Sequence, residues 1–229
     1  MPMAAPHLPP PLRDGDRLTR EEFLRRWESM PEVKWAELID GIVHMPSPIS
    51  TIHSDFHFRL SGWLFTYIGK TPGCAAGTAG TWLMSQDSAP QPDLALRILP
   101  EHGGQARAEG VYTAGAPELI VEVTHTTSAR DTGAKLRLYE RSGVQEYVIV
   151  RPAEQLVAWR QRVDGKYIEI EPDSDGLFRS QVFPGLWLNP TLLWNGDFSG
   201  LAEVVSRGTA TPEHADFVRK LAARQKSTS

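Results

Sequence analysis

The amino-acid sequence predicts an α+β domain in which a central mixed β-sheet is flanked by helices. Two observations lead to this fold class. Segments whose apolar residues follow a helical period are interspersed with short apolar runs that are typical of strands. Their order is helix, two strands, helix, two strands, helix and then further strands, which differs from the regular alternation of an α/β fold.

The first half of the domain is expected to contain two helices around a hairpin. Thr19 precedes Glu22 by three residues, which is the spacing of a capping box at a helix start. Asp40-Gly41 is a strong turn dipeptide between two short strands. A second helix is expected over residues 51–70, where apolar residues recur with a period of about 3.6. The glycine-rich stretch 71–80 is expected to be a connection.

The second half is expected to contain a third helix and a closing set of strands. Ser128 and Asp131 have the capping spacing at the start of this helix, and Gly143 is a typical helix stop. The segments after residue 150 are expected to form a β-meander. The domain is expected to span residues 17–198. A proline-rich, disordered segment 1–16 precedes it, and a partly helical or disordered tail 199–229 follows it.

Composition and charge exclude several classes of protein. The chain has 229 residues, 41% of them hydrophobic and 23% charged, which is typical of a globular protein with one core. The net charge of −4 argues against a basic nucleic-acid coat but permits a local basic groove. The single cysteine, Cys74, excludes an intrachain disulfide, and neither a secretory signal nor a membrane-spanning run is found. A cytoplasmic protein is therefore expected.

A carboxylate inside an apolar strand is the first sign of a functional site. Glu122 lies in the middle of "PELIVEVT", where an unpaired charge is costly. Because side chains alternate along a strand, Glu122 shares a face with Ile120 and Thr124. Asp93 lies in a second strand, "QPDLALRIL". If these strands pair, with residues 100–116 as the hairpin connection, Asp93 and Glu122 point from the same face of the sheet.

Two acids in this position need compensation. Carboxylates about 5 Å apart repel by roughly 3 kcal/mol at an effective dielectric constant of about 20. Protonation, a basic side chain or a divalent cation would relieve the repulsion. Of these three, only the cation implies a function. Mg²⁺ binds carboxylate and carbonyl oxygens and usually retains several water ligands, which can take part in a reaction. Metal-dependent nucleases have a Glu-x-Lys pattern here, but Thr124 replaces the lysine. Lys135, on the following helix, is the candidate substitute.

Several segments together resemble the Uma-type family of restriction endonucleases, within the PD-(D/E)XK nuclease superfamily. They are "WAELIDGIVHMPSPIS", "QPDLAL", "APELIVEVTHTTSARDTGAKLRLYERSGVQEYVIVRP" and "VFPGLWL". The resemblance implies a restriction-endonuclease-like fold and metal binding by Asp93, Glu122 and the carbonyl of Val123. It also implies that Lys135 is the displaced superfamily lysine and that Glu37 completes the acidic cluster.

The chain departs from the family pattern at two places. "VTHTTS" stands where the family tends to have a Ser-Pro pair after Glu-Val, which affects the shape of the loop. Arg151 stands where an acid often precedes the proline, which leaves the proposed metal ligands unchanged.

A pair of histidines offers an alternative metal site. His53 and His57 are four residues apart, but Ser54 follows the first histidine where an H-E-x-x-H zinc site needs glutamate. A third zinc ligand would have to come from His44 or His125. The preferred interpretation places His53 near the acidic cleft, hydrogen-bonded to a ligand or phosphate. His57 is expected to be an inert helix residue.

The sequence thus predicts a Mg²⁺-dependent endonuclease, with Mn²⁺ as a substitute, that hydrolyses phosphodiester bonds in DNA. Its catalytic residues would be Asp93, Glu122, Lys135 and Glu37. One alternative is a non-catalytic nuclease-fold module that binds nucleic acid or a protein partner, because the Glu-x-Lys lysine is absent and the net charge is negative. A structural assembly subunit is another. Exposed edge strands and an apolar helix face also lead us to expect a homodimer.

Overall fold

Helices cover both faces of a six-stranded sheet in the computed structural model, which describes residues 9–45, 48–124 and 129–228. The helices are α1 (Arg20–Glu28), α2 (Thr51–Ile68), α3 (Ala129–Ser142), α4 (Pro190–Asn195), α5 (Phe198–Thr209) and α6 (Pro212–Thr228). The strands are β1 (Glu37–Ile39), β2 (Ile42–His44), β3 (Cys74–Thr78), β4 (Trp82–Leu83), β5 (Leu94–Ile98), β6 (Arg107–Glu109), β7 (Tyr112–Ala114), β8 (Leu119–Val123), β9 (Glu146–Arg151), β10 (Leu156–Val163), β11 (Lys166–Ile170), β12 (Phe178–Arg179) and β13 (Trp187–Leu188). Among the described residues, none of the helices combines the length and apolar character that a membrane span requires.

The main sheet is mixed, as the sequence predicts. Its strand order is β11-β10-β9-β8-β5-β3, with β8 and β9 parallel and every other pair antiparallel. Helix α3 connects the two parallel strands, which is the crossover that such a pair requires. The three strands β9, β10 and β11 form the expected meander. The central position of β8 explains why its five residues are all buried.

The two faces of β8 meet different layers of the core. Leu119, Val121 and Val123 pack into a cluster with residues of α2 and of the C-terminal helices. Ile120 points the other way, into a smaller cluster that includes Leu138 on α3. Because alternate residues share a face, Glu122 lies on the side of the sheet that α3 covers.

The N-terminal region packs onto the β1–β2 hairpin. The hydroxyl group of Thr19 accepts a hydrogen bond from the main-chain N–H of Glu22, the first half of the predicted capping box. Asp40 and Gly41 form the predicted turn, both with positive φ. Part of the segment expected to be disordered, residues 9–16, is packed: Leu12 is buried in the core beneath the hairpin. Residues 1–8 lie outside the described residues.

Three other segments differ from the sequence interpretation. The glycine-rich stretch expected to be a connection contains β3, which pairs with β5 at the edge of the sheet. The connection 100–116 is more than a hairpin loop, because β6 and β7 form a three-stranded sheet with β4. The tail 199–229 contributes α5 and α6, and their residues Leu201, Val205 and Leu221 are buried in the main core, so the packed unit extends beyond residue 198. Ser128, the expected helix cap, lies outside the described residues.

A buried carboxyl group links the meander to the C-terminal segment. Glu146, at the start of β9, is fully buried and accepts hydrogen bonds from the Ser180 hydroxyl at 2.6 Å and the Gln181 N–H at 2.7 Å. Burial raises the pKa of this carboxyl group to about 7, and the hydrogen bonds offset only part of the effect. Its ionisation near neutral pH therefore works against the folded state.

We expect Glu146→Gln to change how stability depends on pH. Below about pH 4.5 the wild-type carboxyl group is protonated in both states, and the stability that this protonation provides is lost as pH rises through about 7. The glutamine amide stays neutral; its oxygen can accept from the Gln181 N–H, and its NH2 group can donate to the Ser180 hydroxyl oxygen, which donates to Glu146 in the wild type. The free energy of unfolding of the variant relative to wild type should rise by on the order of 3 kcal/mol between pH 4.5 and pH 8.

Urea unfolding of both proteins at several pH values measures this difference. Glu171→Gln is the control, since it removes a carboxylate from an exposed position. A difference between Glu146→Gln and wild type that stays constant with pH would contradict the raised pKa.

Candidate active site

A cleft of about 1130 Å³ opens where the β1–β2 hairpin, the start of α2, strands β5 and β8, and α3 meet. Its walls come from distant parts of the chain, so only the folded protein assembles it. All six site residues predicted from the sequence line this cleft: Glu37, His53, Asp93, Glu122, Val123 and Lys135.

Asp93 and Glu122 share one face of the sheet. Leu94 of β5 pairs with Val121 of β8 in an antiparallel register. Continuing that register by one residue places Asp93 opposite Glu122, with both side chains on the face of Ile120. The two carboxyl groups therefore point into the same cleft, as the alternation along the strands predicts.

Asp93 is held by Val123 and by two histidines of α2, in addition to the N–H of Ala79. One carboxylate oxygen, Oδ2, accepts a hydrogen bond from the main-chain N–H of Val123 at 2.7 Å, and the other, Oδ1, lies 3.1 Å from Nε2 of His53. Its main-chain carbonyl accepts a hydrogen bond from Nε2 of His57 at 3.0 Å. The rings of the two histidines stack with centroids 6.3 Å apart. The start of α2 thus fixes both the side chain and the backbone of Asp93.

This arrangement favours a charged pair between His53 and Asp93. Burial opposes ionisation of Asp93, but the hydrogen bond and the charge of His53 outweigh it and lower the pKa of the carboxyl group. The same hydrogen bond raises the pKa of His53 against the opposing effect of burial. The contact with Asp93 therefore favours the protonated form of His53.

The main chain of Val123 is also directed towards Asp93. In a strand, the N–H and C=O of one residue point to the same side. Because the Val123 N–H reaches the Asp93 carboxylate, the Val123 carbonyl also faces the β5 side of β8. The backbone therefore places a carbonyl oxygen where the family resemblance implies a metal ligand.

Glu122 uses one oxygen for the protein and leaves the other to the cleft. Its Oε1 accepts hydrogen bonds from Nζ of Lys135 at 3.0 Å and from the hydroxyl of Tyr139 at 2.8 Å. No hydrogen bond to Oε2 is seen among the described residues. Burial raises the pKa of Glu122 to about 7, the charge of Lys135 lowers it, and the negative charges of Asp93 and Glu37 add to the rise.

Lys135 joins two carboxylates. Its ammonium nitrogen lies 2.9 Å from Oε1 of Glu37 and 3.0 Å from Oε1 of Glu122, and its side chain is only 15% exposed. Burial alone would lower the pKa of this lysine, but the two carboxylates raise it well above its ordinary value. Oε1 of Glu37 also accepts the N–H of Gln91 at 2.6 Å. Lys135 is therefore a permanent positive charge in the cleft.

Sequence reasoning missed one residue of the site, Tyr139, and the contacts of two others. Tyr139 lies one helical turn after Lys135 on α3, so this i, i+4 spacing was a usable signal. His57 contacts the backbone of Asp93 and is not inert, which corrects the sequence interpretation. Thr124 occupies the superfamily lysine position, lines the cleft, and has a buried hydroxyl with no hydrogen-bond partner among the described residues.

The protein itself supplies two of the three predicted remedies for carboxylate repulsion. Basic side chains lie against both acids, and Glu122 has a raised pKa. Within the described ranges, no three side chains of His, Cys, Asp or Glu converge closely enough to hold an ion by themselves. This result disfavours a zinc site built from His44, His53 and His57. His125 and the side chain of Asp131 lie outside the description.

Comparison with known proteins identifies the family. The model of the family Uma2, described as "Putative restriction endonuclease", matches residues 20–191. The chain belongs to the Uma2 family. Among solved structures, "a putative nuclease belonging to DUF820 from Anabaena variabilis ATCC 29413" is similar with a TM-score of 0.59 and 19% sequence identity. That match covers 78% of this chain and 98% of the other. A comparison with curated proteins gives no match.

These findings confirm the family resemblance and the restriction-endonuclease-like fold. The region matched by the Uma2 model contains all six predicted site residues. At 19% identity, the similarity to the solved nuclease shows a shared fold and not a shared chemistry. The roles of the Uma2 site residues stay predictions.

Removing Lys135 should destabilise this Uma2 protein. In Lys135→Met the carboxylates of Glu37 and Glu122 face each other without a cation, and loss of one partner from a buried pair typically costs about 3–5 kcal/mol. The loss should be largest above pH 7, where Glu122 is ionised. The double variant Glu122→Gln/Lys135→Met should recover part of it. Urea unfolding of wild type and both variants, at pH 8 and at a pH below 7, measures these free energies of unfolding.

Lys166→Met is a matched control. Lys166 also lies 3.0 Å from a glutamate, but its side chain is 79% exposed, so this variant should lose no more than about 1 kcal/mol. A loss of the same size in Lys135→Met would show that the buried network contributes little to folding.

Proposed function

We propose that this Uma2 protein is a metal-dependent endonuclease that hydrolyses phosphodiester bonds in DNA. The observation that supports it most is the convergence of Asp93 and Glu122 on one face of the sheet beside the ammonium group of Lys135. An acid on each of two paired strands with a nearby lysine is the arrangement that the superfamily resemblance implies.

The donor set fits a hard divalent cation. Three oxygen ligands are available there: Oε2 of Glu122, which has no hydrogen-bond partner among the described residues, the carboxylate of Asp93, and the Val123 carbonyl, which points along the sheet towards β5. Mg²⁺ commonly uses only one or two carboxylates and completes its shell with water and substrate phosphate, so three converging acidic side chains are not needed. When bound, the ion would polarise a phosphoryl oxygen and lower the pKa of a water ligand. Mn²⁺ accepts the same kinds of ligand.

In this proposal, Lys135 and Tyr139 orient Glu122 as a metal ligand. Both donate to the same oxygen of Glu122, which fixes the carboxyl group and turns its second oxygen to the cleft. Fixed groups of this kind stabilise charge without reorganising during the reaction. The ammonium group of Lys135 can also donate a hydrogen bond to the attacking water or to a phosphate oxygen as negative charge develops.

Glu37 and His53 have supporting roles in the proposal. Glu37 orients Lys135 and supplies a third carboxylate, which can accept a proton from water or hold a second ion. His53, charged through its contact with Asp93, provides a donor for a phosphate oxygen at the opposite side of the cleft. Lys135, oriented by Glu37, and His53 would thus lie on two sides of the position proposed for the scissile phosphate.

The second candidate function is a nuclease-fold module that binds nucleic acid or a protein without cutting. One observation favours it: the carboxylates of Asp93 and Glu122 already have partners within the protein, so the site is internally compensated without an ion. Such a module has no need for divalent metal. Metal affinity therefore separates the two functions.

Cleavage of supercoiled plasmid tests the proposed activity. We expect nicking that needs Mg²⁺ or Mn²⁺ and falls by at least about 100-fold in Asp93→Asn and Glu122→Gln, because each variant removes a charged oxygen ligand. Asp175→Asn and Glu171→Gln make the same chemical changes at exposed positions and should keep full activity. Equal activity in all four variants, or activity that persists in chelator, would exclude this mechanism.

Calorimetric titration with Mn²⁺ in the absence of DNA gives an independent result. Wild type should bind the ion, and Asp93→Asn should bind it at least about tenfold more weakly, while Asp175→Asn should match wild type. Salt-dependent binding of DNA without any Mn²⁺ binding would favour the non-catalytic module. A structural assembly subunit would bind neither.

A further inference from the structure

Strand β3 lies at one edge of the main sheet and lacks the residues that usually protect such an edge. In the described part of the chain, β3 pairs only with β5. Its sequence, Cys-Ala-Ala-Gly-Thr, has no proline and no charged side chain, which are the usual features that prevent an edge strand from pairing. The opposite edge strand, β11, carries Lys166 and Glu169 on a comparable length. The two edges of one sheet are therefore protected to different degrees.

The direction of the backbone shows which groups are unpaired. The N–H of Ala79 points towards β5, where it contacts the carbonyls of Pro92 and Asp93 at 3.2 and 3.1 Å. Because alternate residues of a strand point their N–H and C=O groups to opposite sides, those of Ala76 and Thr78 face outward. They are available to another strand.

Helix α2 presents a second apolar face beside this edge. Its core-facing residues include Trp63 and Tyr67, which are almost fully buried. Phe58 and Phe65 lie on the opposite side of the helix and are 69% and 74% exposed. A helix that is apolar on both sides is typical of a helix covered on both sides. A groove of about 420 Å³ runs between this face and β3, lined by Gly62 and Ala76 among others.

We propose that a second copy of this chain covers this surface, with the two β3 strands paired antiparallel about a two-fold axis at Ala76. A strand paired antiparallel with its own copy is self-complementary, as a two-fold interface requires. The pairing uses the outward groups of Ala76 and Thr78 and joins the two six-stranded sheets into one. Phe58 and Phe65 of each copy then pack across the axis.

The available area is consistent with a dimer. Aromatic side chains bury about 150–250 Å², so Phe58 and Phe65 each have on the order of 100–180 Å² left to cover. The two phenylalanines together therefore offer on the order of 200–360 Å² per protomer, a substantial part of the roughly 800 Å² of a stable interface, and the groove walls and β3 add to this area. Phe198, 48% exposed and packed edge-on against Phe58, extends the same patch.

The proposed interface reaches the candidate active site. Thr78 lines both the groove and the active-site cleft. In the pairing centred on Ala76, Thr78 lies opposite the partner's Cys74. The dimer therefore adds a wall near the cleft of each copy, although its formation does not depend on nuclease activity.

Sedimentation velocity of the full chain tests the proposal. Wild type should be a dimer at micromolar concentration, and Phe65→Glu should raise the dimer dissociation constant by at least about 100-fold, because the new carboxylate would be buried at the axis. Val111→Glu adds the same charge at a position that is 89% exposed on the β6–β7 turn, and it should stay dimeric. A monomeric wild type, or a Phe65→Glu variant that stays dimeric, overturns the proposal.

Cross-linking tests the strand pairing directly. Facing residues of paired strands are close enough for a disulfide, so Cys74→Ser/Ala76→Cys should form a covalent dimer on mild oxidation. Cys74→Ser/Val111→Cys controls for random collision and should stay monomeric on a non-reducing gel. Adding Phe65→Glu to the first variant should abolish its cross-link. Equal cross-linking of the two cysteine variants, or none in either, would refute the pairing about Ala76.

Discussion

The ammonium group of Lys135, held between the carboxylates of Glu37 and Glu122, is the interaction on which the candidate site depends. It joins three elements that are distant in sequence: the first hairpin, the central strand β8 and helix α3. Without it, two nearly buried carboxylates would face each other, and burial already disfavours the ionisation of Glu122. The contact that compensates these two carboxylates therefore also sets the charge in this part of the cleft.

The geometry of α3 explains how Lys135 reaches the carboxylate of Glu122. The helix follows β8 directly and returns over the face that carries Glu122, so a residue in its second turn lies above the strand end. Tyr139, one turn later, reaches the same carboxylate oxygen as Lys135. Both donors bind Oε1 of Glu122, and Oε2 has no hydrogen-bond partner among the described residues. A lysine at the position of Thr124 would approach from the strand instead, and would have no neighbouring tyrosine on its own element.

Much of this site was predictable from the sequence, because strand alternation and helix periodicity are local rules. They put Asp93 and Glu122 on one face if their strands pair, and they put Lys135 early in the helix that follows; the pairing of β5 with β8 and the docking of α3 then bring the three together. The contact of His57 with the Asp93 carbonyl was not predictable, since it depends on where α2 docks. Strand β3 was missed because alanine and glycine have weak strand propensity, and pairing with β5 decides its structure.

The buried parts of the two terminal segments were missed for different physical reasons. Leu12 is an isolated apolar residue among prolines, so no periodic pattern of apolar residues predicted that it is buried. In α5 the signal existed, because Leu201, Val204 and Val205 have helical spacing and are all buried. The domain was expected to end at residue 198 because the last residues of the chain are basic and weakly patterned. That expectation overlooked the apolar residues of α5.

The charge balance of the cleft limits how a polyanion can enter it. Among the described residues that line the cleft, Lys135 is the one lysine or arginine, whereas Asp14, Glu37, Asp93 and Glu122 are acidic. Lys135 is already shared by two of these acids, and the charge of His53 is matched by Asp93. A phosphate group approaching this network meets net repulsion unless positive charge enters with it. In the proposed nuclease, a divalent cation would supply that charge, so binding of metal and of the phosphate backbone would strengthen each other by linkage. An internally compensated cleft is thus compatible with catalysis, because the ion, and not a basic groove, would make the site attractive to DNA.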